Sequence, residues 1–362
     1  MIEQSKDDKE KKTAVLFSVQ THGVSNEEND SSLQELRRLV KTMGLEVVAT
    51  LTQRRPKPET GTLLGAGKLK ELASYTGGTG IVKKFSRKSE NETCDDMDED
   101  YPVGSLADRY EESSSDDPMA KNRVRANVVV YDGEISTKQL QNLEKATGVE
   151  VLDRTSVILE IFSRHAKSRE ALIQVEIAKL AYLVPRLRAS HIGGDRQGGG
   201  VGSKGAGETS HELDKRRIRD RISELKSRLV GIRDEQNRRR SRRKENFQVS
   251  LIGYTNAGKS SLMQKLTGSD VLVEDKLFAT LDTRVKSLQP AAFPPVLISD
   301  TVGFIKKLPH DLVASFQSTL DEALAASLLL FTIDVSDPAF RSQLTVTQSV
   351  LKEIGGEKIP NR

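Results

Sequence analysis

Along the 362-residue chain, the spacing of apolar positions separates three stretches of different character. In the first, Ala14-Val15-Leu16-Phe17-Ser18-Val19 predicts a strand and Leu45 to Leu51 a second one. Between them Leu33, Leu36, Leu39 and Val40 recur at spacings of three and four, which predicts a helix over Ser32 to Met43. The same alternation returns later, with a strand over Ala126 to Tyr131, a helix over Thr137 to Thr147 and a short strand over Val149 to Leu152. A chain that alternates strand and helix in this way predicts an α/β domain over residues 1–165. Residues 86–122 interrupt it with Asp and Glu set among serines and few apolar side chains. Such a segment buries too little apolar surface to offset its ordering entropy, so an acidic, disordered insertion is expected there.

The second stretch, residues 166–245, has two helical stripes. Ile173, Ile177, Leu180, Val184 and Leu187 form one, and Ile218, Ile222, Leu225, Leu229 and Ile232 the other. Both are heptad seams and predict an antiparallel, coiled-coil-like helical hairpin. Residues 190–207 join them in a glycine-rich loop that includes Gly200-x-Gly202-x-x-Gly205. No strand precedes that triplet, so it does not read as a dinucleotide fold; a long basic glycine loop suits entry into a narrow anionic space. The second helix carries 14 Lys and Arg between Lys215 and Lys244 and almost no aromatic side chains. That pattern points to contact with nucleic-acid phosphates by backbone or shape, not to base stacking.

The third stretch, residues 246–362, contains the most specific motif. After the apolar run of Phe247, Val249, Leu251 and Ile252 comes Gly253-Tyr254-Thr255-Asn256-Ala257-Gly258-Lys259-Ser260, followed by Ser261-Leu262-Met263 in helical pattern. This is G-x-x-x-x-G-K-[ST] in a strand–loop–helix context, whose backbone amides and helix N-terminus cradle phosphate. Lys259 is expected to reach the outer phosphates and Ser260 to ligate Mg²⁺. Downstream, Phe278-Ala279-Thr280-Leu281-Asp282 is a candidate switch, with Thr280 closing over Mg²⁺ and the terminal phosphate. The strand Pro295 to Ser299 leads into Asp300-Thr301-Val302-Gly303, where the acid suits Mg²⁺ and the Gly303 amide suits the terminal phosphate. Lys259, Thr280 and Gly303 are therefore the candidate catalytic residues, Ser260 and Thr280 the candidate metal ligands. Gly253 to Ser261, Phe278 to Asp282 and Asp300 to Gly303 are the candidate nucleotide contacts. An earlier segment, Gly61 to Lys68, resembles a second phosphate loop but has Thr62 in place of the first glycine and Leu69 in place of the hydroxyl. It reads as a turn opening a helix over Leu69 to Tyr75.

Composition adds limits. The 56 basic and 52 acidic side chains nearly cancel, so the local basic run matters more than the net +4. One cysteine, Cys94, excludes an internal disulfide framework and suits a reducing compartment. Met1 to Lys12 is charged and unlike a secretory signal, and Ala323 to Val335 is too short to span a bilayer. Five scattered histidines lack zinc-ligand spacing.

From about Gln53 onward the chain resembles the HflX family of translational GTPases. The resemblance rests on Gly65-Ala66-Gly67-Lys68, Gln141-Asn142-Leu143-Glu144, Val151-Leu152-Asp153-Arg154-Thr155, Arg196-Gln197-Gly198-Gly199-Gly200 and Gly207-Glu208-Thr209. Arg216-Arg217-Ile218, Phe278 to Asp282 and Asp300-Thr301-Val302-Gly303-Phe304-Ile305 extend it. It implies a cytoplasmic, monomeric enzyme that uses GTP and Mg²⁺ and binds no DNA. It further implies binding to the large ribosomal subunit, with the hairpin loop approaching ribosomal RNA near the peptidyl transferase centre, and the splitting or rescue of stalled ribosomes. Three features depart from a standard GTPase. Asp282 runs straight into Thr283-Arg284, where the family inserts Pro-Thr, so a shortened switch is expected. Phe304 follows Gly303 where Ras-type enzymes carry a water-orienting glutamine, so slow intrinsic hydrolysis is expected. No guanine-reading N-K-x-D occurs before Arg362, so the P-loop domain is expected to be truncated, without its last strands. From the residues alone, a non-enzymatic ribosome- or RNA-binding protein and a P-loop ATPase also stay open.

Overall fold

A computed structural model describes residues 12–82, 125–189, 210–241, 246–268, 276–281, 283–307 and 323–361. The acidic insertion, the glycine-rich loop and Asp282 lie outside the described residues.

The first sheet has the order β2-β1-β3-β4, formed by β1 Thr13–Gln20, β2 Glu46–Arg54, β3 Val128–Tyr131 and β4 Glu150–Asp153, all parallel. Parallel strands covered on both faces need near-continuous apolar sequence, and β1 and β3 are buried at almost every position. Helix α1, Asn26–Thr42, starts seven residues before Leu33, the first of the apolar stripe, because Ser25 caps it by accepting the Glu28 N–H. Helix α2, Ala66–Thr76, follows the turn at Gly65, and α3, Thr137–Thr147, is bounded by a Ser136/Gln139 capping box and by Gly148 in left-handed conformation.

Helix α4, Arg154–His165, follows β4 without a loop, since Asp153 ends the strand and caps the helix through the Ser156 N–H. Val157, Ile158, Leu159, Ile161 and Phe162 are all buried, while Ser156, Glu160, Ser163 and Arg164 form a polar, partly exposed face. Helix α5, Arg169–Leu183, buries Ala171, Val175 and Ala178 in the same cluster as α4. Its seam residues Ile173, Ile177 and Leu180 are only half-buried. The long α6, Ser210–Ser241, packs on α5, burying Leu225 and Leu229 from its own seam, and Arg221 pairs with Glu176 at 2.8 Å. Helix α5 thus has two working faces: small residues on the first domain's core, larger ones toward α6. The helical pair is joined to the first domain by that small-residue face and is not free-standing.

The second sheet has the order β6-β7-β5-β8, from β5 Phe247–Gly253, β6 Arg284–Ser287, β7 Val296–Asp300 and β8 Leu328–Thr332. β5 is parallel to both neighbours and β6 is antiparallel to β7. Helix α7, Lys259–Thr267, follows β5, and α8, Phe340–Glu353, follows β8. Pro360 accepts the Leu329 N–H at 2.9 Å, and Asn361 bridges Leu329 in parallel sense, laying the segment along the outer side of β8. One apolar cluster crosses from the first domain to the second: α1, α4 and α5 side chains meet Tyr254, Ala257, Leu277, Phe278, Leu281, Val302 and Ile305. Phe162 and Phe278 pack edge to face, ring centres 4.6 Å apart.

Candidate nucleotide-binding site

The site begins where β5 stops. Gly253 has φ +155°, and a Cβ there would lie 2.3 Å from the Thr332 carbonyl oxygen, so any side chain is barred by β8 itself. Gly258, at φ +90°, turns the loop into α7, whose first residue is Lys259. The first-turn amides of α7 carry the positive end of the helix and face the loop's concavity, an arrangement suited to phosphate.

Three oxygens converge beside it. Ser260 Oγ donates to Asp300 Oδ2 at 2.6 Å and lies 3.0 Å from Thr280 Oγ1, which donates to the same Oδ2 at 3.3 Å. Asp300 is wholly buried at the end of β7, and its Oδ1 has no hydrogen-bond partner among the described residues. Two hydroxyls and a buried carboxylate with a spare oxygen fit a hard divalent cation, and Mg²⁺ prefers such oxygen donors beside phosphate. Thr255 Oγ1 is likewise buried without a partner at the rim of the depression.

Lys259 is buried, and its ammonium donates to the carbonyls of Tyr254 at 2.6 Å and Gly253 at 3.3 Å. Burial pushes its pKa down to about 8, against the opposing pull of the Asp300 charge. Over it lies Gly303, where a Cβ would come within 2.6 Å of Thr255 Cα and 2.9 Å of Lys259 Nζ. The next residue, Phe304, donates its N–H to the Gly253 carbonyl at 3.1 Å and accepts the Thr255 N–H at 2.8 Å. Its ring is buried with Ile252 and Leu329, pointed away from the phosphate side.

The depression is lined by Thr255, Asn256, Gly258, Lys259, Ser260, Ser261, Phe278, Ala279, Thr280, Thr301 and Gly303, which the motifs single out, and by Lys276, which they do not. A basic residue two positions before Phe278 was the only signal for Lys276. Tyr254, Ala257, Leu281 and Val302 fall in the motifs but send their side chains into the apolar cluster shared with the first domain. A motif records backbone path, and these positions frame the loop while their side chains anchor it.

A sheet whose central strand, parallel to both neighbours, runs through a glycine loop into a helix, flanked by an acid-tipped neighbour strand, defines a P-loop nucleotide-binding domain. Family profiles extend the assignment. One described as the N-terminal domain of GTP-binding GTPases matches residues 30–83 and 115–163, one for their middle region matches 165–243, and one described as 50S ribosome-binding GTPase matches 248–360. GTPase HflX of Gluconacetobacter diazotrophicus is 52% identical over 355 residues, covering 96% of this chain and 75% of that protein. GTPase HflX of Caldanaerobacter subterraneus is 38% identical, covering 97% and 71%, and that of Escherichia coli 36% identical, covering 91% and 67%. Among solved structures, a GTP-binding protein from Sulfolobus solfataricus in complex with GDP aligns over 97% of this chain and 80% of its own, at 23% identity and a TM-score of 0.45. The chain belongs to the HflX family of GTPases.

Proposed function

We propose that the chain binds GTP with Mg²⁺ at Gly253–Ser260, hydrolyses it, and couples that cycle to the large ribosomal subunit, splitting or rescuing stalled ribosomes in the cytoplasm as a monomer. The observation that carries the nucleotide part is the meeting of Ser260 Oγ, Thr280 Oγ1 and Asp300 Oδ2 beside Lys259 and Gly303. In this reading the α7 amides and Lys259 hold the phosphates, the Gly303 N–H faces the terminal one, and Ser260 and Thr280 are the direct metal ligands, with Asp300 behind them. When bound there, Mg²⁺ neutralises charge on the phosphate oxygens. The Phe304 ring offers no proton acceptor and sits in the core. Alignment of the attacking water then falls to backbone groups, and intrinsic turnover is slow.

The ribosomal part rests on α6, where Arg217, Arg219, Lys226, Arg228 and Arg238 are exposed along one long helix. Exposed cations spread around such a helix, of which Arg217 and Arg228 also pair with Asp214 and Glu224, bind phosphate backbone with steep salt dependence. A preference for GTP over ATP in Mg²⁺, lost in Lys259→Ala, tests the first part. No GTP binding by the parent chain would favour the non-enzymatic RNA-binding reading, which keeps α6 and discards hydrolysis.

A further inference from the structure

The end of the second sheet remote from the phosphate loop displays aromatic side chains that the nucleotide site does not use. β5 and β7 are parallel and reach the phosphate loop and Asp300 at their C-terminal ends, so Phe247, paired in register with Val296, marks the opposite end. There β6 and β7 form a hairpin closed by the Leu288 N–H on the Val296 carbonyl at 2.9 Å. Its tip, Gln289-Pro290-Ala291-Ala292-Phe293-Pro294-Pro295, is exposed at every position. Phe293 is 99% exposed, and the next most open large apolar side chain among the described residues is Val335 at 77%. Phe247 is itself half-exposed, and the register places it within about 16 Å of Phe293.

A single exposed apolar residue is ordinary on a protein surface, but this one is held out by its surroundings. Three prolines in seven residues fix φ and remove backbone donors, so the tip is stiff without ladder bonds and displays the ring at small entropic cost. The Gln289 N–H donates to the Leu266 carbonyl at 2.9 Å, which seats the base of the tip on the end of α7. Cations flank it. Lys265 in the last turn of α7 and Lys286 on β6 are exposed, and no acid occurs from Thr283 to Ser299. Helix α6 reaches this end too, because it finishes at Ser241 with Arg238 exposed, and the six residues from there to Phe247 span at most about 20 Å. α6 contains no Phe, Tyr or Trp, so the sheet end supplies the aromatic faces that the basic helix lacks.

We propose that Phe293, with Phe247 and the cations of Lys265, Lys286 and α6 beside it, is a stacking platform for unpaired bases of single-stranded RNA. Cations that follow the backbone and aromatic rings that stack on bases are the two parts such recognition combines. An apolar protein pocket would also accept the ring, but it has no use for the flanking lysines. The platform rests on the contact between α6 and RNA proposed above and adds to it a preference for single strands.

The chain contains no tryptophan, so Phe293→Trp places one indole at the tip of the full-length protein. The probes are single-stranded oligoadenylate and an RNA duplex of equal length. Stacking on adenine quenches indole emission, so Phe293→Trp should dim with oligoadenylate and hardly change with duplex. Phe293→Ala should bind oligoadenylate about tenfold more weakly than the parent, with duplex affinity within about twofold and the salt dependence of both unchanged. Phe293 belongs to no apolar cluster, so both variants should melt as the parent does. Parental oligoadenylate affinity in Phe293→Ala, or Phe293→Trp emission unchanged at saturating oligoadenylate, would overturn the platform while leaving α6 as the RNA contact. Emission unmoved by either RNA but blue-shifted on large ribosomal subunits would also overturn it, placing the tip in an apolar protein pocket. A parent chain that binds neither RNA nor the large subunit would overturn the ribosomal reading and the platform with it.

Discussion

Burial holds the Lys259 ammonium at a pKa of about 8, well below a free lysine, and phosphate binding needs its charge. GTP affinity should therefore be flat below about pH 8 and fall as pH rises further, by up to about tenfold per unit, because binding must then draw a proton onto the lysine. Titration with GTP from about pH 7 to about pH 9 checks this; an affinity independent of pH would contradict it. The linkage to folding has the opposite sign. Between about 8 and 10.5 the unfolded lysine keeps a proton that the folded one has lost, so this group adds stability as pH rises through that window. Arg154 makes a second prediction. Burial works against its charge, but Glu35 and Asp132 outweigh that and hold its pKa up; burial raises that of Glu35, and the cations beside Asp132 overcome burial to keep it low. Arg154→Ala leaves the buried Glu35 carboxyl without its cation and Asp132 with Lys307 alone, and should cost about 3–5 kcal/mol in urea unfolding. Lys259, Ser260 and Gly303 were legible from sequence because they lie in short motifs with a known backbone path. Glu35, Arg154 and Tyr254 were not legible as partners, since 119 residues separate Glu35 from Arg154 and 219 separate it from Tyr254.

Helices with both a stripe and caps were read closely. The predicted span of α3, Thr137–Thr147, is the observed one because Ser136 and Gly148 mark its ends chemically as well as by pattern. The first turn of α1 is polar, so the hydrophobic period could not reveal it, whereas the cap at Ser25 could have. α4 escaped prediction although it has a polar face at Ser156, Glu160 and Ser163, because it follows β4 with no turn between them and its cap, Asp153, is also the last residue of that strand. The seam of α6 is the observed stripe, with Leu225 and Leu229 at its buried centre, while α5 hides a second face of small residues. Leu225→Ala should loosen α6 from α5 at a cost of about 2–5 kcal/mol, read as early loss of helical signal on heating. An unchanged melting profile would show that the α5–α6 contact contributes little.

The three parts act on one another through shared core, because α4, α1 and α5 reach both the first sheet and the phosphate loop. Sequence pattern divided the chain into these parts but gave no sign of that cluster, which joins apolar positions from every part and has no period along the chain. No helix among the described residues is long and apolar enough to cross a membrane. With α6 presenting its cations outward, Arg219→Glu, Lys226→Glu and Arg238→Glu together should weaken co-sedimentation with the large ribosomal subunit and flatten its salt dependence. Co-sedimentation equal to the parent would remove α6 from the interface. The central claim is narrower: that Gly253–Ser260 binds guanine nucleotide with Mg²⁺. Binding of labelled GTP and ATP to the parent chain and to Lys259→Ala tests it most directly. Tighter binding of GTP than ATP by the parent, lost in Lys259→Ala, is the predicted result; preference for ATP, or a Lys259→Ala variant that binds GTP as the parent does, would contradict it.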